Sequence, residues 1–396
     1  MEALTFLLIG AALVLFGSIE AYLINATIAT FIFILITKTV EKNSLIHMMF
    51  FLGFAIFIYA PALINGYYLD TSFELYYLTS FAALFFITRT KELGPPQGNP
   101  KKYRFLFFIA SFGVAAGSFY EGLSLFFLGP MIAFFPASLN PHRRTDSFLT
   151  AVIFFGAFTV YVIYGWSGFG RTVTAGYAIT GLLAFCITAK ININKFMFGA
   201  AGFLGTLLLV SRKDGFSELS IARSIDDSAI GPYRLASTFI DTMETRGFDF
   251  PGLLDQLVFS AFSFVPREIW PTKPFGFGFQ YVVENMDSYL AEAGHSIAST
   301  LIADHFYYIG WLGFASSLLI LFIITVMIKI FYREKLFDGH VTSIFAANML
   351  VLVWGGMTSF SARMIYPLLG MLPFAVLTYI FQKRRVKISP SISNFS

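Results

Sequence analysis

Apolar stretches close to the length that crosses a bilayer recur along most of this chain. A transmembrane helix needs about 17–25 mostly apolar residues, and twelve stretches approach or reach that length. The composition agrees, because 57% of the residues are hydrophobic and only 13% are charged, whereas soluble proteins carry about 25% charged residues. The stretches lack the period-2 alternation of outer-membrane strands. The sequence therefore predicts an all-α polytopic membrane protein.

The twelve predicted spans are distributed unevenly along the chain. They cover residues 4–19, 22–38, 46–65, 73–88, 104–119, 121–138, 147–165, 172–189, 195–211, 309–331, 343–360 and 364–381. The first lacks a signal-peptide cleavage site, so we expect it to remain as a span. Three regions follow: an N-terminal bundle of nine spans (1–211), a long loop (212–308), and closing spans with a basic tail (309–396).

The basic residues predict the orientation of the spans. Cytoplasmic loops are enriched in Lys and Arg, and most of the 27 basic residues fall in alternate loops and in the C-terminal tail. Both termini are therefore expected in the cytoplasm and the long loop on the opposite side. Cys186 is the only cysteine and lies in an apolar stretch, so no internal disulfide is possible.

The long loop is expected to have structure of its own, because unstructured connections beyond about 12–15 residues are uncommon. A helix is predicted from Pro232. Its apolar face, suited to the membrane surface, holds Leu235, Ala236, Phe239, Ile240 and Met243, and its polar face holds Arg234, Ser237, Asp241 and Glu244. The stretch 252–265 is apolar but too short to span, which favours a re-entrant or an interfacial hairpin. A further short amphipathic helix is predicted in "YVVENMDSYLAEAG".

The stretch "FVPREIWPTKP" interrupts the apolar pattern of the loop. Its prolines stop a helix and hold the chain extended, and Trp270 suits a membrane interface. Arg267 and Lys273 suit a phosphate, which a guanidinium binds through a bidentate fork and an ammonium as a point charge. Binding of lipid headgroups, or neutralisation of Glu268, would explain the same cations.

Two further arginines are predicted on the same side of the membrane as this stretch. Arg171 opens the eighth span, and Arg363 is expected in the short connection between the last two spans. An arginine at the edge of a span can also snorkel to the interface.

Histidines lie where the chain returns to the membrane. His295 suits a proton shuttle or a helix cap, and with Asp304 and His305 it offers three zinc ligands. Neither a His-Glu-x-x-His helix nor a cysteine cluster is present, so we expect no metal and no cofactor. Gly310 and Gly313 mark expected points of close helix packing.

The stretch "FVPREIWPTKP" followed by "GHSIASTLIADHFYYIGWLG" resembles the signature region of the Wzy-type O-antigen polymerases. The layout of many spans, one large late loop and a few closing spans is also similar. The histidine followed by a Gly-x-x-Gly pair resembles the related O-antigen ligases, which leaves ligase and polymerase as alternatives.

The resemblance implies a GT-C-like glycosyltransferase that acts on undecaprenyl-diphosphate-linked oligosaccharides at the periplasmic face of the bacterial inner membrane. It implies His295 as the general base, with Glu268 and Glu292 as the next candidates. The diphosphate would be bound by Arg267, Lys273, Arg171 and Arg363, with Trp270 and Arg234 as further substrate contacts. The implied partners are membrane lipids, a chain-length regulator and a flippase, with no nucleic acid.

Two other classes of protein remain as alternatives. A transporter of lipid-linked sugars would also place cations in a cavity, but such proteins often show internal repeats and broken or charged helices at mid-membrane, and no repeat is clear here. A noncatalytic scaffold would leave the long loop without a role.

Overall fold

A computed structural model describes most of the chain. The residues described are 18–69, 73–91, 93, 100–120, 123–140, 143–166, 171–191, 229–241, 247–286, 288–292 and 296–388. Within these ranges the chain forms helices joined by turns, without a β-strand. Among the described residues, six helical segments are long and apolar enough to cross a membrane: Tyr22–Thr39, Leu45–Gly66, Thr145–Gly165, Arg171–Ala189, Trp311–Arg333 and Thr342–Ile380. The chain is accordingly an all-α, multi-pass membrane protein.

We number the described helices in chain order. The first part of the chain contributes α1 (Ser18–Thr39), α2 (Leu45–Phe54), α3 (Ala60–Leu69), α4 (Glu74–Thr90), α5 (Pro100–Gly117), α6 (Leu123–Ser138), α7 (Arg144–Val160) and α8 (Arg171–Ala189). The second part contributes α9 (Gly231–Asp241), α10 (Phe250–Phe262), α11 (Phe277–Asn285), α12 (Ser288–Glu292), α13 (Thr300–Ile309), α14 (Trp311–Arg333) and α15 (Thr342–Ile388). Two π-helical turns, Ala55–Tyr59 and Tyr161–Gly165, join α2 to α3 and extend α7.

The predicted spans and the observed helices agree in position but not always in length. Predicted spans 73–88, 104–119 and 121–138 correspond to α4, α5 and α6. The apolar parts of α5 and α6 are Tyr103–Gly117 and Leu123–Ser138, shorter than the other candidate spans. The predicted span 195–211 and residues 4–17 of the predicted span 4–19 lie outside the described residues, whereas Ser18 and Ile19 belong to α1.

The last two predicted spans are two helices that meet directly at Gly356, so the connection expected at residues 361–363 lies at Gly356 instead. The break in α15 lies at Gly356, whose φ is 73° and ψ is −172°. Ser and Thr hydroxyls can bond to carbonyls of their own helix, as Ser361 does by donating to the Thr358 carbonyl at 2.9 Å. The polar run "TSFSAR" therefore continues the helix, and Arg363 lies within α15 rather than in a loop.

The first arm of α15 forms the centre of the bundle. Residues 341–353 are all buried, and this arm packs against α2 and α8. A Cβ added to Gly176 of α8 would lie 2.0 Å from the Ala347 carbonyl oxygen, so the two backbones touch. Such small-residue contacts let membrane helices approach closely.

The second arm of α15 runs parallel to α6. Ring pairs Phe126–Tyr366 and Phe134–Phe374 align the two helices in the same direction. Phe134 also contacts Phe337. Phe337 lies in the turn formed by residues 334–341, so this turn marks one end of the bundle. We call this the turn end, and we call the opposite end, where residues 247–292 lie, the loop end.

Part of the predicted loop belongs to the bundle. Helix α13 folds back against α14 at Gly310: the His305 Nδ1 and Ser316 Oγ atoms lie 3.0 Å apart, and a Cβ on Gly313 would lie 2.2 Å from the His305 carbonyl oxygen. The expected close packing at Gly313 is confirmed. Helix α13, most of which precedes the boundary expected at residue 308, is buried.

Helix α9 also packs against protein rather than lying free on a membrane surface. Its predicted apolar residues Ala236, Phe239 and Ile240 are buried, and the helix contacts α13, α4 and α3. Ser237 was expected on the polar face but is buried, and its hydroxyl donates to the Tyr233 carbonyl at 3.1 Å.

Candidate functional site

The turn between α10 and α11 is closed by Arg267. Its guanidinium donates to the carbonyls of Lys273 at 2.6 Å and Pro274 at 3.0 Å. The same group stacks 3.8 Å from the Phe275 ring centroid, a cation–π contact. Within this stretch the Ile269 and Trp270 N–H groups donate to the Pro266 carbonyl, and the Lys273 N–H donates to the Trp270 carbonyl. The Arg267 side chain satisfies the Lys273 and Pro274 carbonyls that follow.

Lys273 closes the same turn from the opposite direction. Its ammonium donates to the carbonyls of Val265 at 2.6 Å and Ser263 at 3.1 Å, and its side chain is only 8% exposed. Burial lowers the pKa of Lys273 and the nearby Arg267 lowers it further, while Glu268 partly offsets both. We call residues 263–275, held by these two cations, the clasp.

Arg267 and Lys273 have a structural role in the clasp that the sequence did not predict. Four donor contacts go to backbone carbonyls of the clasp itself. Arg has five N–H donors and Lys has three, so each cation retains donors for a ligand.

Replacing Lys273 with methionine should open the clasp. The buried Ser263 carbonyl and the partly buried Val265 carbonyl would lose charge-assisted bonds of about 1.5–3 kcal/mol each. Every 1.4 kcal/mol changes a population about tenfold. We expect protease cleavage within residues 263–275 of the full-length protein to accelerate at least tenfold. The exposed Lys335 in the turn at residues 334–341 provides the control, since Lys335→Met should leave that rate unchanged. Equal rates for Lys273→Met and wild type would show that the clasp does not depend on Lys273.

The other predicted site residues of the loop are largely exposed. Glu268 and Glu292 lie on the surface, as does Arg234 on α9. Trp270 is half-buried, and its indole N–H donates to the Thr272 hydroxyl at 3.0 Å. His295 lies outside the described residues.

Arg363 lies where α7, α8 and α15 meet. Its side chain is exposed, and its charge interacts with the Tyr161 and Tyr366 hydroxyl groups. Tyr161 in turn hydrogen-bonds Thr174, one turn beyond Arg171, the half-buried first residue of α8. The structure therefore places Arg171 and Arg363 on neighbouring helices, a proximity that the sequence analysis did not predict.

The clasp lies at the same end of the bundle as these arginines. Helix α10, which leads into the clasp, packs against α15 and α13. Asp249, just before α10, donates its N–H to the Tyr308 carbonyl at the end of α13 at 2.7 Å. The clasp cations Arg267 and Lys273 and the arginines Arg171 and Arg363 thus share the loop end, in two groups on different elements.

Asp304 is a polar residue of this region whose structural role the sequence did not predict. It is fully buried and accepts hydrogen bonds from the Thr358 hydroxyl at 3.2 Å and the Thr358 N–H at 3.4 Å. In an unbroken helix that N–H would bond the carbonyl four residues earlier, but the kink at Gly356 leaves it available. Asp304 therefore caps the second arm of α15 as an N-cap residue would.

A metal role for Asp304 and His305 gains no support from the geometry. Among the described residues, no three His, Cys, Asp or Glu side chains are grouped to hold a metal ion. The Gly355-Gly356 pair followed by Thr358 was the sequence signal for a break in the helix. The carboxylate that caps the second arm, Asp304, lies in another helix, so the sequence carried no signal for that contact.

Comparison of the chain with models of known families, with curated protein sequences and with solved structures gives no match.

Proposed function

We propose that the protein is a membrane glycosyltransferase that polymerises lipid-diphosphate-linked oligosaccharide repeat units. Its nearest functional class would be the Wzy-type O-antigen polymerases, which the stretch "FVPREIWPTKP" resembles. The observation that carries the proposal is the meeting of Arg363 with α7 and α8 at the loop end, the end to which α10 and the clasp are also packed.

The reaction joins two lipid-linked glycans. A hydroxyl of one repeat unit attacks the anomeric carbon of the other glycan, so a new C–O bond forms while the bond from that carbon to the lipid diphosphate breaks. The hydroxyl proton passes to a base, for which His295 is the first candidate and Glu268 and Glu292 follow. The diphosphate leaves as an anion and needs no strong acid.

Fixed cations would stabilise the negative charge that develops on the leaving diphosphate. Such groups act most strongly in a site from which water is excluded. We assign this role first to Arg363 and Arg171, because the donors of Arg267 and Lys273 already hold the clasp. Trp270 and Arg234 are proposed to contact the glycan.

The proposal includes a topology and a location. Twelve spans of a GT-C-like bundle would cross the bacterial inner membrane, with both termini in the cytoplasm and the loop end at the periplasmic face. The basic residues of the tail and of alternate loops support this orientation. A chain-length regulator and a flippase would act with the protein, and no metal would take part.

Removing the charge of Arg363 should shorten the surface polysaccharide. In cells that lack the chromosomal copy, wild type should restore long chains. Arg363→Gln should slow chain growth by about a hundredfold or more, as the loss of a charge-stabilising donor does. The readout is the length distribution of the polysaccharide at matched protein level.

The control is Arg333→Gln, because Arg333 is an exposed arginine at the turn end of α14. It should leave chain length unchanged. A normal distribution with Arg363→Gln would remove Arg363 from the site. His295→Ala tests the base in the same assay, and normal chains would remove His295.

A transporter of lipid-linked sugars is the second candidate. Helix α15 is broken at Gly356, and the buried Asp304 of α13 accepts a hydrogen bond from Thr358 at the start of its second arm. Discontinuous helices of this kind form ion and substrate sites in transporters. The deletion separates the classes. If cells without the protein make only single-repeat chains, the protein is a polymerase. If they make no chains at all, including single repeats, the protein acts in transport or ligation.

A further inference from the structure

Within the part of the chain that the structure describes, helix α10 has one buried face and one exposed face. Leu253 and Gln256 are buried on the first face, and the Gln256 amide donates to the Phe275 carbonyl at 3.1 Å and to Gln280 Oε1 at 2.7 Å. The second face is an exposed apolar stripe, formed by Phe250, Leu254, Leu257 and Phe262. Leu254, for example, is 60% exposed. The helix is therefore amphipathic with its apolar side outward.

The clasp continues this apolar surface. Ile269 at its tip is 75% exposed, and Phe264 and Phe275 are exposed beside it. Outside the candidate spans, an exposed apolar surface of this kind marks a protein or membrane interaction site.

The stripe adjoins a surface that already faces lipid. Asp249 is bonded to the Tyr308 carbonyl, and the candidate span α14 begins three residues after Tyr308 with the exposed Trp311 and Leu312. The apolar stripe on α10 thus starts beside the first exposed residues of a membrane helix. Continuity with that helix identifies the occupant as the lipid bilayer.

Charge on this segment points to acyl chains rather than headgroups. Helix α10 carries one charged residue, the acidic and exposed Asp255, which an anionic membrane would repel. The two cations of the clasp donate to backbone carbonyls instead of facing outward as a basic patch. Attraction to anionic lipid is therefore a minor part of the contact.

We propose that α10 and the clasp form a monotopic wedge that inserts into the acyl-chain region of one leaflet. The 13 residues of α10 span about 20 Å, too short for a hydrocarbon core of about 30 Å. The contacts of its other face with Phe275 and Gln280 hold it along the protein surface, as expected of an interfacial helix. The wedge binds neutral and anionic lipids alike, and this inference does not depend on the proposed reaction.

Site-directed spin labelling of the full-length protein in nanodiscs tests the wedge. Cys186 is the only native cysteine and is buried, so Cys186→Ala gives a background for Leu257→Cys and Ile269→Cys. Nitroxides at these two positions should be several-fold more accessible to oxygen, which concentrates in lipid, than to a water-soluble nickel chelate. Glu284→Cys is the control, because Glu284 is exposed on the neighbouring α11, and it should show the reverse ratio.

Three results would overturn the proposal. Nickel accessibility at 257 and 269 equal to that at 284 would place the stripe in water. Low accessibility to both reagents would mean that protein, such as a second copy of the chain, covers it. A lipid signature that appears only when phosphatidylglycerol is added to phosphatidylcholine nanodiscs would make the contact electrostatic, contrary to the proposed acyl-chain insertion.

Discussion

Gly356→Ala is expected to destroy the kink of α15 and, with it, activity. Gly356 has a φ of 73° and a ψ of −172°, a backbone conformation that is essentially restricted to glycine and costs other residues about 1–3 kcal/mol or more. A Cβ there would also lie 2.6 Å from Ser299 Oγ, 2.7 Å from the Thr300 carbonyl oxygen and 2.8 Å from Asp304 Oδ2. Strain and steric overlap therefore act together.

The functional consequence follows from what the kink positions. The second arm of α15 begins at the kink, is capped by Asp304, and carries Arg363. A shift of this arm would move Arg363 away from Tyr161, with which its charge interacts. We expect single-repeat chains and a lower unfolding temperature in detergent.

Gly156→Ala is the matched control for Gly356→Ala. Gly156 lies in the candidate span Thr145–Gly165, and a Cβ there would meet no atom within 4 Å. Its variant should keep wild-type stability and chain length, since alanine has the better helix propensity. Wild-type behaviour of Gly356→Ala would show that α15 tolerates another conformation at the kink.

Gly370→Ala should separate α15 from α6 and reduce the yield of folded protein. A Cβ on Gly370 would lie 1.7 Å from the Phe126 carbonyl oxygen, a backbone atom that cannot rotate away. The contact is reciprocal, because a Cβ on Gly129 of α6 would lie 2.3 Å from the Pro367 carbonyl oxygen. Overpacking typically lowers the free energy of unfolding by about 1–3 kcal/mol. We expect Gly370→Ala to lie at the upper end of this range, because two helix backbones would have to move apart.

The amount of monodisperse protein after detergent extraction measures this effect. Gly370→Ala and Gly129→Ala should both reduce it, and Gly370→Val should reduce it further. Gly156→Ala again serves as the control, because the same substitution in a candidate span leaves its surroundings unchanged. Full recovery of Gly370→Val would mean that α6 and α15 do not cross at this point.

The pattern of apolar residues alone predicted the helical membrane class and the position of many helices. Backbone groups in lipid must be satisfied within the segment, so a long apolar run has few structural alternatives. Short helices at Pro232 and in the 252–265 stretch were also predictable, because a proline start or an apolar period is a local signal.

The partners of polar side chains were not predictable in the same way. Arg267 and Lys273 looked like ligands for an external phosphate, yet their nearest acceptors are carbonyls in their own turn. A cationic side chain can donate hydrogen bonds to any nearby oxygen. Which oxygen lies within reach depends on how the chain folds. The position of Arg363 on a helix rather than in a connection likewise depended on where α15 breaks.

The sequence by itself determined that this chain enters a membrane as helices and that its late loop is structured. The tertiary structure decided that α15 breaks at Gly356 rather than at its polar run, because Asp304, from another helix, accepts the Thr358 donors that the break releases. Local patterns set which segments become helices, whereas contacts between segments distant in sequence set where those helices bend and which charges remain available to a substrate.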